Sequence, residues 1–230
     1  MKTLVIIPAF NESASILKTV ADIKENAPGI DYVVINDCST DNMKQICIDN
    51  NLNTINLPVN LGIGGAVQTG YKYAFEKGYD AAIQFDGDGQ HEAKYIKLME
   101  EVLEKEELDM VIGSRFIEHE GFQSTIMRQV GIKFFTGLIK VITGKKVTDP
   151  TSGMRMAGRN MIEMFTKRYP KDYPEPETVA SALIQKMKVK EIPVEMRERE
   201  EGVSSISPKK SIYYMLKVTL AILLVALRGR

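Results

Sequence analysis

The stretch IQFDGDGQH, residues 83–91, runs an apolar segment straight into two aspartates, two glycines, a glutamine and a histidine. Its upstream part, DAAIQF (residues 80–85), is continuously rather than alternately apolar, which is the pattern of a strand covered on both faces, as in a parallel sheet. The carboxylates therefore fall at the end of a buried strand, where side chains meet solvent. The same pattern recurs in TLVIIP (3–8), DYVVIN (31–36), NTINLP (53–58) and DMVIG (109–113). Helix-like stretches lie between these runs, at 13–26, 41–51, 65–77 and 93–104. The rhythm is βαβα, so the expected fold class is α/β: a single open, mostly parallel sheet flanked by helices and joined by right-handed crossovers.

Ligands of such sheets bind beyond the carboxyl ends of the strands. Those ends read PAFNE (8–12), NDCSTD (36–41), NLGIGG (60–65), DGDGQH (86–91) and GSR (113–115). Past residue 116 the alternation decays. A helix is expected at 127–142, followed by TDPTSGMR (148–155), a Pro-rich loop YPKDYPEPE (169–177), a further helix, a last strand at 189–196 and the mixed-charge run REREEGVSSISPKK (197–210). No internal repeat or low-complexity linker is visible, so residues 1–207 read as one domain and residues 208–230 as a C-terminal amphipathic or juxtamembrane helix.

Composition narrows the function. In 230 residues, 30 Lys and Arg balance 30 Asp and Glu, so no basic field marks the chain for duplex nucleic acid. At 44% hydrophobic and 26% charged the chain is expected to fold rather than stay disordered. Cys38 and Cys47 form neither a CxxC pair nor a disulfide framework, which fits a reducing compartment. The opening apolar run is too short for a signal peptide, and a cytoplasmic location is expected.

The tail SIYYMLKVTLAILLVAL (211–227) is strongly apolar, interrupted by Lys217 and flanked by Lys209, Lys210, Arg228 and Arg230. A membrane span needs about 20 apolar residues. This run is shorter and charged, so it reads as a helix lying in a membrane interface with its basic flanks against anionic headgroups. The alternative is a helix packed on the core or on a second copy.

Asp86 and Asp88 lie two apart, so in extended backbone both carboxylates point to one side, with Gly87 leaving room between them. Hard oxygen ligands so arranged suit Mg²⁺ or Mn²⁺ bound together with phosphate oxygens, which points to a diphosphate substrate. His91 reads as a neighbour rather than a ligand. NLGIGGAVQTG (60–70) is a poor dinucleotide fingerprint, because Val67 stands at its third glycine position and the loop follows the third strand. There is no GK[ST] for a P-loop. A nucleotidyltransferase would ordinarily carry a glycine-rich basic loop after the first strand, and PAFNESAS is neither.

PAFNE, NDCSTD, NLGIGGA, DGDGQH and GSR, in that order and spacing, resemble the family-2 glycosyltransferases of the GT-A fold. TDPTSGMR and REREEGVSSI resemble its polyprenyl-phosphate, dolichyl-phosphate mannosyltransferase-like branch. The resemblance covers nearly the whole chain. It implies that Pro8, Ala9, Phe10, Asn11, Glu12, Asp37, Gly64, Asp86 and Gly87 border the nucleotide, and that Asp86, Asp88 and Gln90 hold the metal. It implies inverting transfer of a sugar from a UDP- or GDP-sugar to a polyprenyl phosphate, with Asp88, Arg115, Asp149 and Arg199 as the catalytic set. A lipid phosphate is already an anion and needs cations rather than a base. Arg115, Arg155 and Arg199, with Ser204 and Ser205 as donors, are the acceptor candidates, since arginine's rigid fork binds phosphate at two points. Ser205 stands near where the family carries a basic residue. Asp149, Glu175 or Glu177 would serve as base if the acceptor were a hydroxyl. Branch members often carry full transmembrane helices, so this chain is expected to sit peripherally at the inner face of the cell membrane, on its own tail or through a small membrane protein or a second copy.

Overall fold

The computed structural model describes residues 1–118, 126–197 and 208–228. In chain order its elements are β1 (Thr3–Ala9), α1 (Ile16–Asn26), β2 (Asp31–Asn36), α2 (Met43–Asp49), β3 (Thr54–Asn56), α3 (Gly62–Glu76), β4 (Ala81–Gln84), α4 (Lys94–Lys105), β5 (Met110–Ser114), α5 (Ile126–Thr143), β6 (Arg155–Gly158), α6 (Arg159–Lys167), α7 (Pro174–Ile184), β7 (Val189–Pro193) and α8 (Pro208–Arg228). The strands form one sheet in the order β3-β2-β1-β4-β6-β5-β7. The pairings β1–β2, β1–β4, β2–β3 and β5–β7 are parallel, whereas β6 runs antiparallel between β4 and β5.

β6, at Arg155–Gly158, is a strand that the sequence reading did not assign. Four residues are too few to show a period, and RMAG carries a charge at its head. The strand forms because it fills the gap between β4 and β5, pairing Gln84 with Arg155 and Ile112 with Arg155 on its two sides. Two further differences are local. The expected Pro-rich loop at 169–177 ends early, since Pro174 opens α7, where its fixed φ and missing N–H are tolerated. The glycine loop is instead the first turn of α3, which begins at Gly62.

The sheet is covered on both faces, as the continuous apolarity of its strands requires. All seven residues of β1 are buried; Leu4 and Ile6 join one core cluster and Val5 and Ile7 the other, following the period-2 alternation of a strand. On the first face lie Val67 and Tyr71 of α3, Phe135 and Ile139 of α5, Phe165 of α6, Val179 of α7, and Val218 and Ile222 of α8. On the second lie Ile16, Val20 and Ile23 of α1, Met43 of α2, and Ile96 and Met99 of α4.

Helix α8 is thus partly core. Val218 and Ile222 are buried while Tyr213, Leu216, Leu220, Leu223, Leu224 and Leu227 are exposed. The charge that interrupts the apolar run is paired, with Lys217 Nζ 2.5 Å from the Asp172 carboxylate. The Tyr214 ring packs edge-on to Tyr173 at 4.5 Å and Phe135 at 5.5 Å. Among the described residues, no helix is long and apolar enough to cross a membrane.

Candidate active site

β1, β2, β4 and β5 end at one edge of the sheet, and antiparallel β6 begins there. At the end of β4, Asp86 is held from three directions. Gln84 Nε2 donates to its Oδ1 at 3.1 Å, its backbone N–H donates to His91 Nδ1 at 3.0 Å, and His91 Nε2 stands 3.6 Å from its Oδ2. With Nδ1 accepting, the neutral imidazole carries its proton on Nε2 and faces the carboxylate. His91 is buried against Phe85 in an edge contact at 5.3 Å, so it is a support of the loop, as its neighbour reading has it. Asp88 Oδ1 accepts the Gln90 N–H at 3.1 Å. Gln90 itself is tied to residue 197, its carbonyl taking the Arg197 N–H at 2.9 Å and its side-chain amide reaching the Arg197 carbonyl at 3.4 Å.

Gly87 is not a gap between the two aspartates. It is buried, a Cβ there would lie 3.3 Å from Ala9 Cβ and from the Pro8 carbonyl, and its own carbonyl accepts from Ser15 Oγ at 2.8 Å and Thr19 Oγ1 at 3.2 Å. The acidic loop is therefore pinned onto the end of β1 and the start of α1. The space beside Asp86 comes from Gly153, which sequence reasoning did not single out. A Cβ on Gly153 would come 2.8 Å from Asp86 Oδ2.

The PAFNE segment divides. Pro8 and Ala9 are buried as the last residues of β1, while Phe10 and Asn11 are exposed at the edge. Asn11 takes a left-handed conformation with φ 58. Its Oδ1 accepts from the Thr40 N–H at 2.8 Å and the Asp41 N–H at 3.3 Å, so it clasps the β2 loop rather than capping α1. Glu12 is half-buried, and its carboxylate accepts from Ser15 Oγ at 3.0 Å.

Asp37 departs from the nucleotide assignment. It is buried, and both its oxygens are spent on the N-terminus of α3, accepting the Leu61 N–H at 2.7 Å and the Gly62 N–H at 2.9 Å. A carboxylate there satisfies otherwise unpaired amides and the helix dipole. Gly64 likewise faces the chain itself. Its N–H donates to the Lys171 carbonyl at 3.1 Å, and a side chain would drive into the Pro170 and Lys171 carbonyls.

On the β5 side, Arg115 and Asp149 are bound to each other. Arg115 Nε donates to Asp149 Oδ2 at 2.7 Å and Nη2 to Oδ1 at 2.8 Å, a two-pronged pair in which Asp149 is wholly buried. Nη2 also reaches Thr151 Oγ1 at 3.1 Å. Asp149 is thereby locked and unsuited to act as a base. Its loop is fixed in turn by Glu191 of β7, which accepts the Thr148 and Asp149 N–H groups at 2.7 and 2.8 Å. Burial raises the Glu191 pKa against the pull of those bonds. Arg128 lies on α5, and no sequence pattern ties it to GSR. Its side chain is exposed, and partial desolvation together with the charge of Arg115 lowers its pKa.

Arg155 is a further correction. It is 2% exposed and its guanidinium is engaged inside the protein, so it is not an open cation for an acceptor phosphate. Glu175 lies close by, with Oε1 4.0 Å from Arg155 Nη2. Burial raises its pKa, Arg155 opposes this, and Asp86 adds to it. Glu177 stands apart, in a groove of α6, α7 and α8 with Arg168 and Arg228. Arg199, Ser204 and Ser205 lie outside the described residues.

The donor chemistry at Asp86 and Asp88 fits a hard divalent cation. Both carboxylates are part-exposed at the edge, and Gly153 keeps Asp86 Oδ2 uncovered by any side chain of its own. Among the described residues, no third acidic, histidine or cysteine side chain completes a protein-only cage. Mg²⁺ and Mn²⁺ are commonly held in this way, with substrate phosphates filling the remaining positions.

Comparison with known proteins gives a consistent result. An undecaprenyl-phosphate mannosyltransferase of Micrococcus luteus is 27% identical over 219 residues, covering 90% of this chain and 88% of that one. A UDP-N-acetylglucosamine–dolichyl-phosphate N-acetylglucosaminyltransferase of Methanococcus voltae is 30% identical, covering 82% and 83%. A polyprenol monophosphomannose synthase of Mycolicibacterium smegmatis is 24% identical, covering 94% and 85%. Among solved structures, glucosyl-3-phosphoglycerate synthase from Mycobacterium tuberculosis, in complex with Mn²⁺, UDP-glucose and phosphoglyceric acid, superposes with a TM-score of 0.74 at 16% identity over 97% of this chain and 79% of that one. The fold is that of the GT-A glycosyltransferases. Residues 4–165 match the family model described as glycosyl transferase family 2. With that match over most of its length, and with the acidic loop at the end of β4 and Arg115 after β5 at one edge of such a sheet, the chain belongs to glycosyl transferase family 2 and is a glycosyltransferase.

Proposed function

We propose that this protein transfers a sugar, with inversion, from a nucleotide sugar to a polyprenyl phosphate, and that Asp86 and Asp88 hold a Mg²⁺ or Mn²⁺ ion on the donor diphosphate. The observation that supports the reading is the acidic loop after β4 lying at the same sheet edge as Arg115, which follows β5. The first suits a metal-bound diphosphate and the second an acceptor phosphate. When bound, the cation neutralises charge that grows on the departing nucleoside diphosphate.

The residues of the chain do the rest. An oxygen of the acceptor phosphate attacks the anomeric carbon from the face opposite the diphosphate; the new C–O bond forms as the old one breaks, and the nucleoside diphosphate leaves. Arg115 and Arg128 offset the repulsion between two anionic substrates. A phosphate oxygen needs no deprotonation, which accords with Asp149 being locked onto Arg115. A hydroxyl acceptor would need a base within hydrogen-bond reach. The names of the three relatives point the same way. Phe10 at the exposed edge borders the nucleotide in this reading. Incubation with radiolabelled nucleotide sugars and polyprenyl phosphate is expected to give a butanol-extractable, mild-acid-labile product of opposite anomeric configuration to the donor. Label confined to glycan would instead establish a hydroxyl acceptor.

The exposed stripe of α8 supports peripheral attachment to the inner face of the membrane. Six large apolar or aromatic side chains on one helix face are unusual for a surface that meets only water. Replacing Leu220 and Leu224 with glutamate, both exposed, is expected to lower partitioning onto anionic vesicles at least tenfold, at about 1.5 to 3 kcal/mol per buried leucine. Melting temperature is expected to change little, because neither side chain is in the core. Unchanged vesicle binding would remove the tail from the membrane reading.

A further inference from the structure

We propose that Arg155 is a positioning residue for the donor metal: it sets the side-chain amide of Gln84, and Gln84 fixes the Asp86 carboxylate. The inference rests on the assignment of Asp86 as a metal ligand and extends it into the sheet.

Gln84 is 1% exposed at the end of β4, and Arg155 stands opposite it on β6. Arg155 Nη2 donates to Gln84 Oε1 at 3.0 Å, and Gln84 Nε2 donates to Asp86 Oδ1 at 3.1 Å. An amide can turn end for end, but a guanidinium has only donors to offer. Arg155 therefore holds Gln84 with its oxygen inward and its N–H groups toward Asp86. Were the amide reversed, two donors would face each other and an oxygen would face a carboxylate.

Arg155 is itself held on its far side. Nη1 donates to Thr178 Oγ1 and to the Glu175 carbonyl at 3.3 Å, and Nη2 to the Tyr169 hydroxyl at 3.2 Å. Its Nε is a buried polar atom with no hydrogen-bond partner among the described residues. A buried cation with one unmet donor costs stability, whereas an apolar residue of similar volume in such a place is often neutral or better. The arrangement makes sense as alignment: the first turn of α7, through Thr178 and Glu175, is connected to the metal-binding carboxylate by way of one guanidinium and one amide. The Asp86 carboxylate is thus oriented through Oδ1, with His91 Nε2 standing 3.6 Å from Oδ2. Groups that orient a ligand in this way are typically worth about 10- to 100-fold in metal affinity.

The test uses Gln84→Met, which keeps volume and removes the bonds of the amide to Arg155, Asp86 and Glu175, and Tyr169→Phe, which removes one hydroxyl of the Arg155 cradle while keeping its aromatic packing. Mn²⁺ binding to the full-length protein is measured by electron paramagnetic resonance, with saturating UDP or GDP, and nucleotide binding is measured separately without metal. The expected result for Gln84→Met is at least a tenfold loss of Mn²⁺ affinity with metal-free nucleotide binding unchanged; for Tyr169→Phe it is about a threefold loss. General damage to the fold would weaken both measurements together, so parallel loss counts against the proposal. Wild-type Mn²⁺ affinity in Gln84→Met, or in Tyr169→Phe if the first variant does not fold, overturns it. If the wild-type protein binds no Mn²⁺ with either nucleotide, the metal assignment itself fails, a result distinct from failure of the relay.

Discussion

Asp88→Asn is expected to lower kcat by about 10²- to 10³-fold while leaving the melting temperature of the ligand-free protein nearly unchanged. The size follows from what one preorganised charge at a departing anion is typically worth. The small effect on stability follows from position. Asp88 is part-exposed on a loop, and asparagine keeps an oxygen for the Gln90 N–H that Asp88 Oδ1 accepts at 3.1 Å. A second reading of the same variant isolates the metal. Saturating the wild type with Mn²⁺ and its nucleotide at 100 times Kd is expected to stabilise it by about 2.7 kcal/mol, and the Mn²⁺-dependent part of that shift is expected to vanish in Asp88→Asn. Full turnover in the variant would mean that the acidic loop is a turn and not a donor site.

Arg115→Met is expected to destabilise the protein by about 3 to 5 kcal/mol and to abolish transfer. The stability loss arises because Asp149, wholly buried, loses the two-pronged partner that neutralises it; stranding one member of a buried ion pair typically costs that much. Removing the stranded carboxylate as well, in Arg115→Met with Asp149→Leu, is expected to restore most of the stability, since apolar replacements of buried pairs are often neutral. Activity separates the two roles of the arginine. If Arg115 also meets the acceptor phosphate, the double variant stays inactive although folded, and its KM for polyprenyl phosphate rises where any turnover remains. Recovery of activity together with stability would assign Arg115 to structure alone and leave Arg128 as the acceptor cation. Thermal melting and initial-rate kinetics on the three proteins decide the matter.

The sheet was legible because burial on both faces leaves a mark in one dimension. TLVIIP, DYVVIN and DAAIQF are apolar at successive positions, and only a strand sandwiched between two helix layers needs that. The position of the site was legible for a related reason. Strands that end together put their polar terminators together, so PAFNE, NDCSTD, DGDGQH and GSR mark a common edge. The same reasoning failed where a side chain's partner lies far along the chain. Asp37 read as a ligand for a nucleotide, yet its carboxylate caps α3, 24 and 25 residues on. Arg115 and Asp149 bind each other across 34 residues, a pairing that no local stretch of sequence displays. Gly64 was expected to border the nucleotide, and a side chain there would meet the carbonyls of Pro170 and Lys171.

The sequence by itself determined the α/β class, the sheet edge where polar strand ends gather and the acidic pair that lies there, because these depend on runs of neighbouring residues and on the fixed geometry of a strand. Only the tertiary structure decided which polar groups point into the site and which are consumed in holding it together. β6, four residues with no period of their own, slips between β4 and β5 and sets Arg155 beside Gln84. That pairing depends on the free energy of closing a sheet around a gap, which is shared among strands distant in the chain and is written in no single stretch of it.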